Sequence, residues 1–186
     1  SPLNRKLTDA EINGIVYAMV IGGLETTQYA LAEQVQLVIE NHAVWQALKA
    51  DKRKVRAFTE EGMRLRAPTQ GLSTRTTSQE EVFQGVAVPK GSFLHMRWAA
   101  ANIDPLEWDD PTELKLDRKA GTRHLTFSQG ARVCPGASLS RLEQVEAWNA
   151  LIDRIDHFEY AQDNTFTHQP GIMLGITKLN LAFKKQ

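Results

Sequence analysis

The chain has 186 residues, enough for one domain with a core of its own. Its 22 basic and 22 acidic residues cancel, which excludes a strong global field drawing it to nucleic acid or an anionic membrane, although Lys52-Arg53-Lys54-Val55-Arg56 forms a local basic run. The single cysteine excludes an internal disulfide and fits a reducing cytoplasm, and the longest apolar stretch, residues 14–24, falls short of the roughly 20 residues that span a bilayer.

The opening Ser1-Pro2-Leu3-Asn4-Arg5-Lys6 has no secretory pattern and no initiator methionine, so a piece of a longer protein is expected. Thr8-Asp9-Ala10-Glu11 is a capping box. Behind it Ile12, Ile15, Val16, Met19 and Val20, then Leu31, Val35 and Val38, recur at helical spacing and predict one long helix over about residues 8–41. Gly22-Gly23-Leu24-Glu25-Thr26-Thr27 interrupts its propensity, since each interior glycine costs about 1 kcal/mol relative to alanine. Two in succession point either to a local distortion or to a close helix crossing beside a solvated glutamate.

A short helix over 44–50 and another over 53–65 follow, and Pro68 marks the stop. Glu61 and Arg64 stand at i and i+3 on the second of these, where side chains meet. Residues 72–76 and 81–88 are rich in Thr, Val and Phe and read as short strands before the turn at Pro89-Lys90-Gly91. Residues 93–101 read as a short helix and 102–123 as a long irregular segment, of a length that usually carries function or is clamped. Leu139, Leu142, Val145, Trp148, Leu151 and Ile152 predict a further helix, and residues 175–183 a terminal strand. The expected fold class is mainly α with a small mixed β-sheet, forming one region over residues 1–186.

Phe127-Ser128-Gln129-Gly130-Ala131-Arg132-Val133-Cys134-Pro135-Gly136 sets the one cysteine between glycines just before a helix. A helix N-terminus and a neighbouring arginine favour the thiolate, the form that binds metal. Gly130 and Gly136 let the backbone turn sharply and approach a flat ligand. A small buried cysteine is the plainer reading of such a residue taken alone. Zinc is disfavoured, because His42, His95, His124, His157 and His168 show no ligand spacing with Cys134.

The spacing resembles, at every defined position, the haem-binding loop of the cytochrome P-450 family, Phe-x-x-Gly-x-Arg-x-Cys-x-Gly. The resemblance implies the carboxy-terminal portion of that fold, of the soluble bacterial type, with haem b ligated by Cys134 and a propionate met by Arg132. Residues 22–27 resemble the family's oxygen-activation motif, Ala/Gly-Gly-x-Asp/Glu-Thr-Thr; by that likeness Thr26 would hydrogen-bond the dioxygen being activated and Glu25 would help relay protons. Glu61-x-x-Arg64 resembles the Glu-x-x-Arg motif, whose charge network takes a third member from the loop before the cysteine, here Arg118. Arg75 matches a propionate-binding arginine, and His124 is a second candidate contact. Ala101-Asn102-Ile103-Asp104-Pro105 resembles Ala-Asn-Arg-Asp-Pro, with Ile103 in place of the arginine.

By family position, substrate contacts would come from Met19, Gly22, Gly23, Leu24, Leu72 and the turn at 171–174, including Ile172 and Met173. The resemblance covers essentially all 186 residues but not the family's amino-terminal half. It implies a monooxygenase that inserts one oxygen atom of dioxygen into a hydrophobic small molecule, fed by a ferredoxin-type donor and its reductase. Lys119, Arg123, Arg132 and Arg141 are the expected basic docking face. A peroxygenase, a haem-binding sensor or electron carrier, and a fragment unable to hold haem alone stay open as alternatives.

Overall fold

The computed structural model describes residues 4–72, 74–118, 123–165 and 167–186. The long first helix is α1, Asp9–Glu40, capped as its sequence predicts: the Thr8 hydroxyl accepts from the Glu11 N–H while the Glu11 carboxylate accepts from the Thr8 N–H. It is continuous through Gly22-Gly23. Helices α2, His42–Ala50, and α3, Val55–Leu65, flank a single 3₁₀ turn at Lys52–Lys54.

The β component consists of short antiparallel ladders, where the sequence suggests a mixed sheet. Strand β1, Thr74–Thr76, pairs with β4, Phe93–His95, while β2, Glu81–Phe83, pairs with β3, Val86–Val88, through a two-residue turn at Gln84-Gly85. Both turn residues have positive φ, 48° and 82°, as a tight hairpin requires. The helix expected over 93–101 is therefore split into β4 and a single turn, α4, Trp98–Ala101. Phe93 and Leu94 pair across to β1, and that ladder outweighs the weak helical pattern. Helix α5, Ala137–Ile152, begins immediately after the cysteine loop. The expected terminal strand lies at β6, Leu181–Lys185, against β5, Ile155–Tyr160, a strand that the sequence pattern does not announce.

The core gathers Val38 of α1, Trp45 and Leu48 of α2, Val55 and Phe58 of α3, Trp148 and Ile152 of α5, and Phe158 of β5. Phe58 and Trp148 meet edge to face at 4.9 Å, and Trp45 and Phe158 lie 4.8 Å apart. A buried polar ladder crosses beside them: Thr27 to Ser140 at 3.0 Å, Gln144 to Ser140 at 3.0 Å, Gln34 to Gln144 at 2.5 Å and the Trp148 indole N–H to Gln34 at 2.6 Å. Gly62 lets α3 come that close, since a Cβ there would stand 2.5 Å from the Gln34 Cγ.

All the buried residues of α1 lie in its second half, from Thr27 to Val38. Ile12, Ile15, Val16, Met19, Val20, Ile21 and Leu24 of the first half are exposed. An apolar surface of that extent marks a packing or ligand-contact face. Among the described residues no helix is long and apolar enough to cross a membrane.

Candidate functional site

The cysteine loop is closed by its own backbone. The Cys134 N–H donates to the Phe127 carbonyl at 2.8 Å, Ser128 N–H to Leu125 at 2.8 Å, and Val133 N–H to Gly130 at 3.1 Å. Ser128 and Gly130 carry φ of 61° and 74°, so Gly130 is a position that a side chain would strain. Cys134 is half-buried at the start of α5, and Arg132 lies exposed on the 3₁₀ turn Gly130–Arg132. A Cβ at Gly136 would stand 3.9 Å from the Cys134 sulfur, within van der Waals contact, so the residue lies beside the thiol.

Beneath the loop runs the network expected of Glu61, Arg64 and Arg118. Arg64 forks onto Glu61, with Nε to Oε1 at 2.7 Å and Nη2 to Oε2 at 3.0 Å, and both groups are buried. Its remaining donors take the carbonyls of Asn102 at 2.9 Å, Pro111 at 2.6 Å and Glu113 at 3.0 Å. Arg118 Nε reaches Glu61 Oε1 at 3.1 Å and its other nitrogens hold the carbonyls of Asp109, Asp110 and Glu113. Trp108 packs on both guanidinium groups, 5.0 Å from Arg64 and 5.8 Å from Arg118. Two arginines thus pin the irregular segment by its carbonyls, which have no helix or strand to satisfy them. Asn102 carries the connection onward: its side chain accepts from Leu125 N–H at 2.6 Å and donates to the Thr126 hydroxyl at 2.9 Å, at the entrance to the cysteine loop.

His124 departs from the expected propionate contact. It is buried; its Nε2 pairs with Glu60 Oε2 at 2.9 Å, and its Nδ1 accepts from the Thr126 N–H at 3.3 Å, so both ring nitrogens are engaged inside the protein. Arg141 departs from the expected docking face in the same way. It turns inward onto Glu60, Nε to Oε1 at 2.7 Å and Nη2 to Oε2 at 3.2 Å. Arg123 pairs with Glu107 at 3.0 Å, and Lys119 lies outside the described residues. Of that expected face, Arg123 and Arg132 are exposed, Arg123 in a surface pair.

Burial opposes charge on Glu60, yet hydrogen bonds from His124 and Arg141 outweigh it and hold the carboxyl below its ordinary value. A depressed folded-state value gives stability that is present above the unfolded value near 4.5 and is lost as pH falls through the folded one. Urea midpoints followed by tryptophan fluorescence are therefore expected to fall on acidification below that range, and Glu60→Gln is expected to flatten the slope. A variant with the native slope would assign the acid sensitivity elsewhere.

On α1, Glu25 is exposed and Thr26 is half-buried, its hydroxyl donating to the Gly22 carbonyl at 2.6 Å. The adjoining Thr27 is tied to Ser140 of α5, so the Gly-Gly-Leu-Glu-Thr segment is fixed relative to the helix that follows Cys134. Among the described residues nothing lies within 4 Å of a Cβ placed at Gly22 or Gly23. Arg75 sits on β1 opposite Leu94. Leu72 and Ile172 are exposed and Met173 is half-buried, and the turn carrying the last two is stitched to residues 68–70, with Gln70 N–H to Ile172 at 2.7 Å and Leu174 N–H to Pro68 at 2.7 Å. Met19 and Leu24 are 64% and 65% exposed along the bare half of α1.

The same terminal segment reaches α1 through His168, whose Nε2 lies 2.7 Å from Glu33. Burial pushes the Glu33 carboxyl up despite that partner.

The donor set tests what the loop can hold. Among the described residues no three His, Cys, Asp or Glu side chains gather to hold a bare metal ion. A lone, half-buried thiol would suit a group that takes a single atom from the protein, as haem does. Glu60, Thr126, Ser140 and Arg141 are site residues that the sequence motifs do not single out; the acidic doublet Glu60-Glu61 inside a core-facing helix is the available signal.

Comparison with known proteins agrees. The family model for cytochrome P450 matches residues 2–183. The chain is 32% identical over 169 residues to cytochrome P450 144 of Mycobacterium tuberculosis, covering 90% of this chain and 38% of that protein. It is 27% identical to the beta-dihydromenaquinone-9 omega-hydroxylase of the same organism, covering 95% and 36%. The crystal structure of CYP109E1 from Bacillus megaterium in complex with corticosterone superposes with a TM-score of 0.89 at 28% identity, over 95% of this chain and 47% of that one. The chain spans less than half the length of these relatives.

Proposed function

Since this chain belongs to the cytochrome P450 family, as its carboxy-terminal fold portion, we propose that it supplies the cysteine ligand, the loop that carries it and part of the substrate wall of a haem-thiolate monooxygenase. The observation that carries the reading is Cys134 itself, held by the Phe127 carbonyl at the head of α5 with a glycine beside its sulfur. Haem held there would supply the chemistry that puts one oxygen atom of dioxygen into a C–H bond or double bond while the other leaves as water with two electrons and two protons, a chemistry that a thiolate ligand favours.

The residues divide the remaining work. The positive charges of Arg132 and Arg75 suit the two propionates, and Phe127, Gly130 and Gly136 shape the loop toward a flat ring. The Thr26 hydroxyl, resting on the Gly22 carbonyl, keeps lone pairs to accept with and can redirect its proton by a turn about χ1. Glu25, exposed beside it, faces water. Met19, Leu24, Leu72, Ile172 and Met173, with the bare backbone at Gly22 and Gly23, give a largely apolar wall and call for a hydrophobic small molecule. A relative that hydroxylates beta-dihydromenaquinone-9 and a neighbour holding corticosterone are in keeping with that class. Electrons would come from a ferredoxin-type donor and its reductase, with Arg132 as the exposed cation of the loop. Cytoplasmic operation is part of the same proposal.

The test is the carbon monoxide complex of the reduced, haem-loaded full-length protein that carries this chain: a long-wavelength Soret band reports thiolate ligation, and an imidazole-type band would overturn the reading. Thr26→Ala is expected to lower the product formed per reducing equivalent severalfold, with peroxide made instead. Native coupling in that variant would remove Thr26 from the proton path.

A further inference from the structure

Glu60 adjoins Glu61 on α3, yet its contacts lead to a different place. While Glu61 serves the irregular segment, Glu60 holds Arg141 of α5 by two hydrogen bonds and buried His124 by one. These two partners then flank one side chain. The Arg141 guanidinium lies 4.6 Å from the Phe127 ring centroid, and the His124 ring lies 5.9 Å from it. Phe127 in turn provides the carbonyl that receives the Cys134 N–H. The contacts form a line from a buried carboxylate to the backbone of the cysteine.

The loop needs such an anchor. Positive φ at Ser128, a residue with a side chain, is poorly favoured and persists only where surrounding structure fixes it. Three short backbone bonds close the loop on itself but do not attach it to the core. Arg141 makes that attachment from the far side of Cys134 and His124 from the near side, both to one carboxylate. Only arginine can fork onto a carboxylate while stacking on a ring; lysine does neither as well.

We propose that Glu60, His124 and Arg141 are positioning residues that fix the Cys134 backbone, and with it the direction of the sulfur, against α3 and α5. The proposal deepens the reading of Cys134 as a haem ligand and rests on it.

The experiment compares the chain with Arg141→Gln, Arg141→Lys and Phe127→Leu, first by native hydrogen exchange without haem, then by the ferrous carbon monoxide spectrum after loading. The Cys134 amide is expected to exchange about tenfold faster in all three variants, the scale of the one guanidinium–ring contact that each of them loses, while amides in the second half of α1 keep their protection. The loaded variants are expected to shift part of the Soret absorbance to shorter wavelength, and lysine is expected not to restore it. Unchanged exchange at Cys134 in both Arg141→Gln and Phe127→Leu overturns the proposal, as does full rescue by lysine. Phe127→Leu leaves every ion pair of Glu60 in place, so its exchange rate decides the matter where Arg141→Gln fails to fold. Faster exchange in a chain whose native form gives no thiolate band supports the clamp and overturns the haem-thiolate reading; a native band with unchanged exchange does the reverse.

Discussion

Arg64→Met is expected to cost about 3–5 kcal/mol, a large share of the roughly 5–15 kcal/mol that holds a domain folded. The substitution keeps most of the side chain's bulk and removes its charge. Glu61 then stays buried with Arg118 as its remaining cation, and the carbonyls of Asn102, Pro111 and Glu113 lose donors that water cannot easily replace. Trp108 loses the closer of its two guanidinium neighbours. Urea unfolding followed by tryptophan fluorescence would measure the cost, and Arg64→Lys is expected to recover only a minor part, since an ammonium cannot make the fork. A loss below about 1 kcal/mol would mean that the network is wet and exchangeable, and that the segment is held by something else.

Cys134→Ser is expected to have the opposite profile. On the proposed function, the turnover and long-wavelength Soret band of the haem-loaded protein should vanish, because this chain has no other cysteine to take the place of the proposed ligand. Stability without haem should change by no more than about 0.5 kcal/mol, the usual range for replacements away from the core. The side chain is half-buried and the one loop-closing bond at this position is made by its backbone N–H, which serine retains. Equilibrium unfolding and the carbon monoxide spectrum on the same preparation separate the two effects. A thiolate-type band persisting in the variant would end the assignment of Cys134.

Together the two substitutions divide the site into a frame and a ligand. Glu61, Arg64 and Arg118 hold the irregular segment, Asn102 passes that order to the loop, and the loop presents one sulfur. On the proposed function, frame variants are expected to fail by unfolding or losing haem, and the ligand variant by losing chemistry.

What the sequence determined was local. The Thr8–Glu11 box sets the start of α1, Pro68 marks the end of the α3 region, and the spacing of Phe127, Gly130, Arg132, Cys134 and Gly136 by itself marks the loop. Glu61 and Arg64 are legible for the same reason, because one helical turn brings them together whatever the rest of the chain does. The tertiary structure alone decided the contacts made across long separations. Arg141 and Glu60 are 81 residues apart, and nothing in either neighbourhood announces the other; the arginine expected on a docking face turns onto a buried carboxylate instead. His124 has the look of a ligand contact in sequence, but a buried carboxylate claims it in the fold. Strand β5 exists because β6 pairs with it, and the ladder from Thr27 to Trp148 because α5 crosses α1 there. Periodicity and capping act within a few residues, whereas a buried polar group takes whichever partner the packed chain brings to it, and that choice is made only when the core closes.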